Sequence, residues 1–167
     1  SSRLQLYYGA QLIARFVTFV GGTGIEYGGS FDIDQFGYAR FERCHFRESS
    51  AENGGGAIWA RQGSMLEIQD SVVEHCSAAE GGAISANQAS LRISRSIFLG
   101  NSATVDTQLS GSGTGGAIFL EGGSLELTHS TFHDNHIDSP VDLPGIRWFA
   151  GEGEALKLQS IFSSPLD

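Results

Sequence analysis

The chain is poor in several residue types, and each shortage rules something out. It holds 2 cysteines, 3 prolines and 1 methionine in 167 residues, and charged residues make up only 17% of it. Cys44 and Cys76 are too few for a structural metal site. They fall in different columns of the pattern described below, one inward and one at a corner, which predicts two free thiols rather than a disulfide. There is no run of about 20 apolar residues to span a membrane, and no segment shows a helical period with caps. Basic residues are outnumbered, 10 Lys+Arg against 19 Asp+Glu, for a net charge of −9 and a pI near 4.9. That balance argues against nucleic acid or an anionic membrane as the main partner. It leaves cations, basic proteins and neutral glycans. No leader is visible, but Ser1-Ser2-Arg3-Leu4-Gln5-Leu6 already alternates, so the chain reads as a segment cut from a longer one.

Glycine, at 23 residues, and a hydrophobic share of 40% are what the chain does have. Much glycine with little proline suits many tight corners between short strands. The apolar residues recur. Phe19, Phe46, Val73, Phe98, Phe132 and Phe162 are spaced 27, 27, 25, 34 and 30 residues apart. Before them run Ala14, Phe41, Ile68, Ile93, Leu127 and Leu158, and two residues earlier Leu12, Ala39, Leu66, Leu91, Leu125 and Leu156. Gly-Gly-Ala-Ile stands at 55–58, 81–84 and 115–118, with a degenerate copy in Gly28-Gly29-Ser30-Phe31. A period of this size marks a solenoid, in which stacked repeats bury a core that no single repeat could bury. Within a repeat, Leu66-Glu67-Ile68 alternates as a half-buried strand does. The expected fold is an all-β, right-handed parallel β-helix of about six coils, a single segment over 1–167, with coils starting near 4, 31, 58, 84, 118 and 146. Right-handedness follows from the strong preference of parallel crossovers.

The register has an independent check. The outward position between the two inward apolar columns reads Ile13, Arg40, Glu67, Arg92, Glu126 and Lys157. After the first step its sign alternates, as expected for side chains stacked about 4.8 Å apart, where like charges repel. A second column reads Arg43, Asp70, Arg95 and His129. Both columns are structural in this reading.

The Gly-Gly-Ala-Ile copies and the tetrads Phe98-Leu99-Gly100-Asn101 and Phe132-His133-Asp134-Asn135 resemble the repeats of chlamydial polymorphic outer membrane proteins. Phe46-Arg47-Glu48-Ser49 and Val73-Glu74-His75-Cys76 depart from that tetrad. The resemblance spans roughly residues 28–136. It implies a secreted, surface-displayed adhesive protein whose repeats are scaffold and carry no catalytic residues. The anchoring β-barrel of that family is absent from this chain. On physical grounds alone, Asn101 and Asn135 suit a corner where an inward amide bonds turn backbone.

Candidate chemistry is sparse. Glycosidases place two carboxylates about 5–9.5 Å apart. The outward candidates are Glu48, His75 and Asp134 in one column, Glu74 and His133 in the next, and the adjacent pair Glu74-His75. Asp32-Ile33-Asp34 reads as a solvated face. No polygalacturonase-like acidic motif occurs, so the expectation is a non-catalytic chain with no catalytic residues. His133 and His136 are three apart at a strand–corner junction and make a poor zinc pair. No metal and no cofactor is called for. Calcium is the one cation admitted, through the loop oxygens of Asp106, Asp138 and Asp142. The outward columns lack the regular threonine array an ice-binding face would need. The corner after Asn101 carries a long insertion, Ser102 to Thr114, and the next coil carries another, Ile137 to Gly145, at the same corner. Solenoids often put binding on such loops. Asp106, Thr107, Asp138, Asp142 and Trp148 are therefore the binding candidates.

The expected function is a non-catalytic scaffold or adhesin segment, extracellular or on the cell surface, meeting a protein or glycan surface and making possible end-to-end or end-capping protein contacts. Two alternatives stand beside it: a carbohydrate-active β-helix domain, and a structural subunit of a larger assembly. The open apolar ends, Leu4, Leu6, Leu12 and Ala14 at one and Leu156, Leu158, Ile161 and Phe162 at the other, predict self-association or a need for flanking sequence.

Overall fold

A computed structural model describes residues 3–104 and 115–138, together with the backbone of strands at 146–149, 155–159 and 162–163. Its strands pair in parallel, each with its counterpart one repeat away. The chain is a parallel β-helix. Four rungs follow without a break between residues 3 and 104, a fifth runs from 118 to 138, and strands of a further rung pair on it.

Three sheets form the walls. The first holds Leu4–Leu6, Phe31–Ile33 and Ile58–Ala60 and, past a corner, Gln11–Arg15, Tyr38–Glu42 and Met65–Gln69. In the next two rungs these halves fuse into single strands, Ile84–Ser94 and Ile118–Thr128. The pairing explains the fusion. Ile58 to Met65 spans one residue more than the matching stretch from Ile84 to Ser90, so the later rungs lack the residue that completes the turn. The second sheet contains Thr18–Val20, His45–Arg47, Val72–Glu74, Ile97–Leu99 and Thr131–His133. The third contains Thr23–Gly24, Ser50–Ala51, Ser77–Ala78, Ser102–Thr104 and His136–Asp138.

Left-handed backbone turns the chain at each corner. Arg43, Asp70, Arg95 and His129 share one stack of such residues, with φ from 47° to 53°, and Glu48, His75, Gly100 and Asp134 share another. The conformation costs a non-glycine residue roughly 1 kcal/mol. It lets the chain bend without breaking the ladder, because the turning N–H still donates to the next rung: Asp70 to Ser94, Arg95 to Thr128, His75 to Leu99. Gly-Gly-Ala-Ile marks the corner where no side chain fits. A Cβ at Gly56 would meet the Gly82 carbonyl and the Ser77 amide.

The alternating inward residues make one core, with Phe41, Phe46, Leu66, Ile68, Leu91, Ile93 and Phe98 at most 1% exposed. Burying each such side chain contributes about 1.5–3 kcal/mol. Phe19 stacks on Phe46 at 4.6 Å and Phe98 on Phe132 at 4.7 Å. Val73 sits between the two pairs. The phenylalanine column stops there: Phe162 pairs with Thr131, and Ser163 takes the place opposite Phe132. The spacing that chose Phe162 missed this one-residue shift of the backbone register.

Two polar ladders run inside the wall. Ser71, Ser96 and Ser130 each accept from the N–H one rung before, those of Cys44, Ser71 and Ser96. Each also donates to a carbonyl two residues back in its own rung. Asn101 accepts from the Cys76 N–H and donates to the Val73 carbonyl. Asn135 repeats both bonds with Asn101 and Phe98. Cys44 and Cys76 are free and buried.

Candidate functional site

The outward face of the first sheet carries the charge column that the sequence predicts. Glu67 pairs in register with Arg40 on one side and Arg92 on the other. Its carboxylate lies 4.0 Å from Arg40 and 3.4 Å from Arg92, and Arg92 reaches Glu126 at 3.6 Å. Around the corner Arg95 makes two bonds to Asp70, at 2.7 and 3.0 Å. The Arg95 guanidinium holds the Asp70 carboxyl below its ordinary range, and Arg15 does the same to Glu42. Tyr38 donates to Glu67 at 3.0 Å. Burial first, then that acceptor, push its hydroxyl pKa up. Glu67, Gln69, Arg92, Ser94, Glu126 and Thr128 line a shallow depression of about 200 Å³ on this face.

The carboxylates that could have served as acid and base are not brought together. Glu74 engages His45 one rung back, at 2.8 Å, while His75 lies at the corner with its ring over Gly100. Adjacent residues on a strand face opposite ways, and the corner separates this pair further. Glu48 and Asp134 occupy the same corner stack three rungs apart, about 14 Å at strand spacing, well outside the span of a glycosidase pair. His133 lies 3.1 Å from Asp134. Among the described residues no group of three His, Cys, Asp or Glu side chains is placed to hold a metal.

Of the loop candidates, Asp106, Thr107 and Asp142 lie outside the described residues. Asp138 and Trp148 fall in strands, with backbone partners Thr104 and Leu120; their side chains also lie outside the description. The insertions are shorter than the sequence suggests, because Ser102–Thr104 and His136–Asp138 continue the third sheet. Thr104 pairs with Asp138, so the strands that lead into the two insertions end side by side.

Asp32 is the main correction. It is not solvated; its side chain is fully buried on the outward side of the first sheet. Arg61 grips it with two bonds, at 3.3 and 3.2 Å, and Arg3 lies 3.6 Å away. A carboxylate out of water needs such partners. Beside it Tyr27 stacks on Trp59 at 3.6 Å, and the Arg61 guanidinium lies 4.5 Å from the Trp59 ring. The sequence reading passed over Tyr27, Trp59 and Arg61. Their signal was that Asp32 and Trp59 hold equivalent places in successive coils, Phe31-Asp32-Ile33 and Ile58-Trp59-Ala60. Two rungs on from Tyr27 in the same column, past Gly54, Glu80 is half-buried, and burial first, then the charge of Glu121, raise its pKa.

Stacked parallel rungs, inward ladders and left-handed corners define a β-solenoid scaffold. The family model of the right handed beta helix region matches residues 5–151, and the chain belongs to that family. No curated protein and no solved structure matches it.

Proposed function

We propose that the chain is a non-catalytic scaffold segment of a secreted or surface-displayed protein of adhesin type. The corner insertions that follow the paired strands Ser102–Thr104 and His136–Asp138, residues 105–114 and 139–145, are its proposed contact with a protein or glycan surface. One observation carries this reading. The charged side chains of the outer sheets are joined rung to rung, Arg15 to Glu42, Arg40 to Glu67 to Arg92 to Glu126, and Asp70 to Arg95. They serve the stack, and the variable chemistry is left to the corners. The likeness of Gly-Gly-Ala-Ile and Phe-x-x-Asn to polymorphic outer membrane protein repeats supports the same reading, and an extracellular or cell-surface location is part of this proposal.

Replacing residues 105–114 with a four-residue turn tests it. Because long surface insertions contribute little to stability, circular dichroism and the melting temperature should barely change. Binding on a glycan array or in a protein pull-down should fall. Binding that survives the replacement overturns the role given to the loops.

The depression lined by Glu67, Gln69, Arg92, Ser94, Glu126 and Thr128 favours a second reading, a carbohydrate-active face. Turnover of any polysaccharide in a panel, abolished by Glu67→Gln with the fold intact, would put that reading first.

A further inference from the structure

All five histidines of the chain fall on one side of the solenoid. His45 and His133 lie on the second sheet, and His129 and His75 at the left-handed corners on its two sides. His136 opens the neighbouring strand of the third sheet. Every one is at least partly exposed. They sit in the stretches 43–50, 70–77, 95–102 and 129–136, which stack on one another in four successive rungs. Besides histidine, this strip holds Arg43, Arg47 and Arg95 against Glu48, Asp70, Glu74 and Asp134. Three cations less four acids leave the strip at −1, and so the rest of the chain at −8.

Histidine ordinarily takes up its proton near pH 6.5, while carboxylates stay ionised to about pH 4. Protonating all five rings turns the strip from −1 to +4. Several rings face carboxylates, each already counted in that sum. His45 meets Glu74 at 2.8 Å, with Arg43 and Arg47 on its own rung. His133 lies 3.1 Å from Asp134, and His136 approaches the Asp134 carbonyl at 3.3 Å. His75 follows Glu74 and shares a corner stack with Glu48 and Asp134; His129 shares the other with Arg43, Asp70 and Arg95.

The far end of the third sheet has the opposite character. The stacked stretches 23–28, 50–55 and 77–82 contain Glu26, Glu52 and Glu80, and no Lys, Arg or His. Arg3 reaches this edge at the Tyr27 carbonyl, but it faces the buried Asp32. Burial raises the pKa of Glu80, so the exposed Glu26 and Glu52 carry the edge in acid. Within one copy the third sheet lies between strip and edge. Copies side by side bring the strip of one against the edge of the next. Both features repeat at the rung spacing of about 4.8 Å, so aligned neighbours keep opposite charges together over several rungs.

We infer that the histidine strip is an acid-switched contact surface whose partner is a second copy of this chain, docked through its Glu26 and Glu52 edge. At neutral pH the net charge of −9 holds copies apart. The contact joins two different surfaces, so it propagates and does not close as a dimer. This goes beyond the scaffold reading and uses neither corner insertion.

Sedimentation velocity of the full chain at about pH 7.5 and 5.5, in about 0.05 and 0.5 M NaCl, tests it. In low salt the average mass should rise about twofold or more on acidification, and the higher salt should reverse the rise. The variant combining His75→Asn, His129→Asn and His133→Gln should lose it. Asparagine suits the two corner positions, at φ 51° and 50°. Glu26→Gln with Glu52→Gln separates this contact from precipitation near the pI. Five protons on −9 leave −4, and removing two carboxylates leaves −2. Simple precipitation would then increase, whereas the proposed contact loses its acidic half and the mass should stay near that of the monomer. Both variants alter exposed side chains and should melt with the parent at neutral pH. Three outcomes would overturn the inference: equal mass at both pH values, a rise that salt leaves unchanged, or a rise that the glutamine pair leaves intact or increases.

Discussion

At the scale of single residues, the wall of the solenoid depends on side chains that replace backbone partners. Asn101 is fully buried and satisfies the Cys76 N–H and the Val73 carbonyl at once. Asn101→Ala leaves both groups dry and unpaired, at about 1–3 kcal/mol for each. Equilibrium urea denaturation should therefore show a loss of at least about 2 kcal/mol. Cys76 stands in the same ladder, and burial pushes its thiol up to about 11 from an ordinary 9.0. Two consequences follow. Native protein at pH 8 should react slowly with a thiol reagent and quickly once denatured. The thiol of the unfolded chain ionises first, so its contribution to stability is complete below pH 9 and shrinks as the pH rises to 11. The most it can lose is about 2–3 kcal/mol, at 1.36 per unit. A pH series comparing the parent with Cys76→Ser isolates this term.

At the scale of elements, the glycine corner joins neighbouring rungs more closely than any side chain would allow. A Cβ on Gly82 would sit within the carbonyls of Gly116 and Ser102. Both are backbone atoms of the next rung and cannot swing aside. Gly82→Ala is expected to cost more than about 3 kcal/mol or to prevent folding, read by denaturation and by the yield of soluble protein. The glycine before it has φ 61°, so its replacement adds backbone strain as well. These two constraints explain why Gly-Gly recurs there, while Arg43, Asp70, Arg95 and His129 can occupy a corner with open space outside it.

For the whole molecule, stability comes from contacts between neighbouring rungs, so position along the stack matters. Rungs two to four have a neighbour on each side and a core at most about 2% exposed. In the first rung Leu6, Leu12, Ala14 and Phe19 are only partly buried against that core. Amide hydrogen exchange should divide accordingly. Amides at Leu66, Ile68, Leu91 and Ile93 should exchange only through global unfolding. Those at Leu12 and Ala14 should exchange through a cheaper opening of the end rung. Uniform protection along the stack would show that something else holds that end closed.

Much of the fold was legible in the sequence because a solenoid repeats its physics at a fixed interval. Leu66, Ile68, Leu91 and Ile93 had to face inward together, and Glu67 had to meet Arg40 and Arg92, wherever the rungs lay. Other features depended on distances between segments that no period encodes. That Glu74 bonds His45 and not the adjacent His75 follows from the corner between them. That Asp32 is buried follows from Arg61 and Arg3 closing on it from the rungs on either side. The fused strand Ile84–Ser94 rests on one missing residue, and the pairing of Thr131 with Phe162 on a one-residue shift. The outward place of Ile13 followed from its column, but that Tyr7, Phe16, Val20 and Ile25 also point outward, at positions charged in the next coil, only the rung register showed, because facing is a property of the stack and not of the residue.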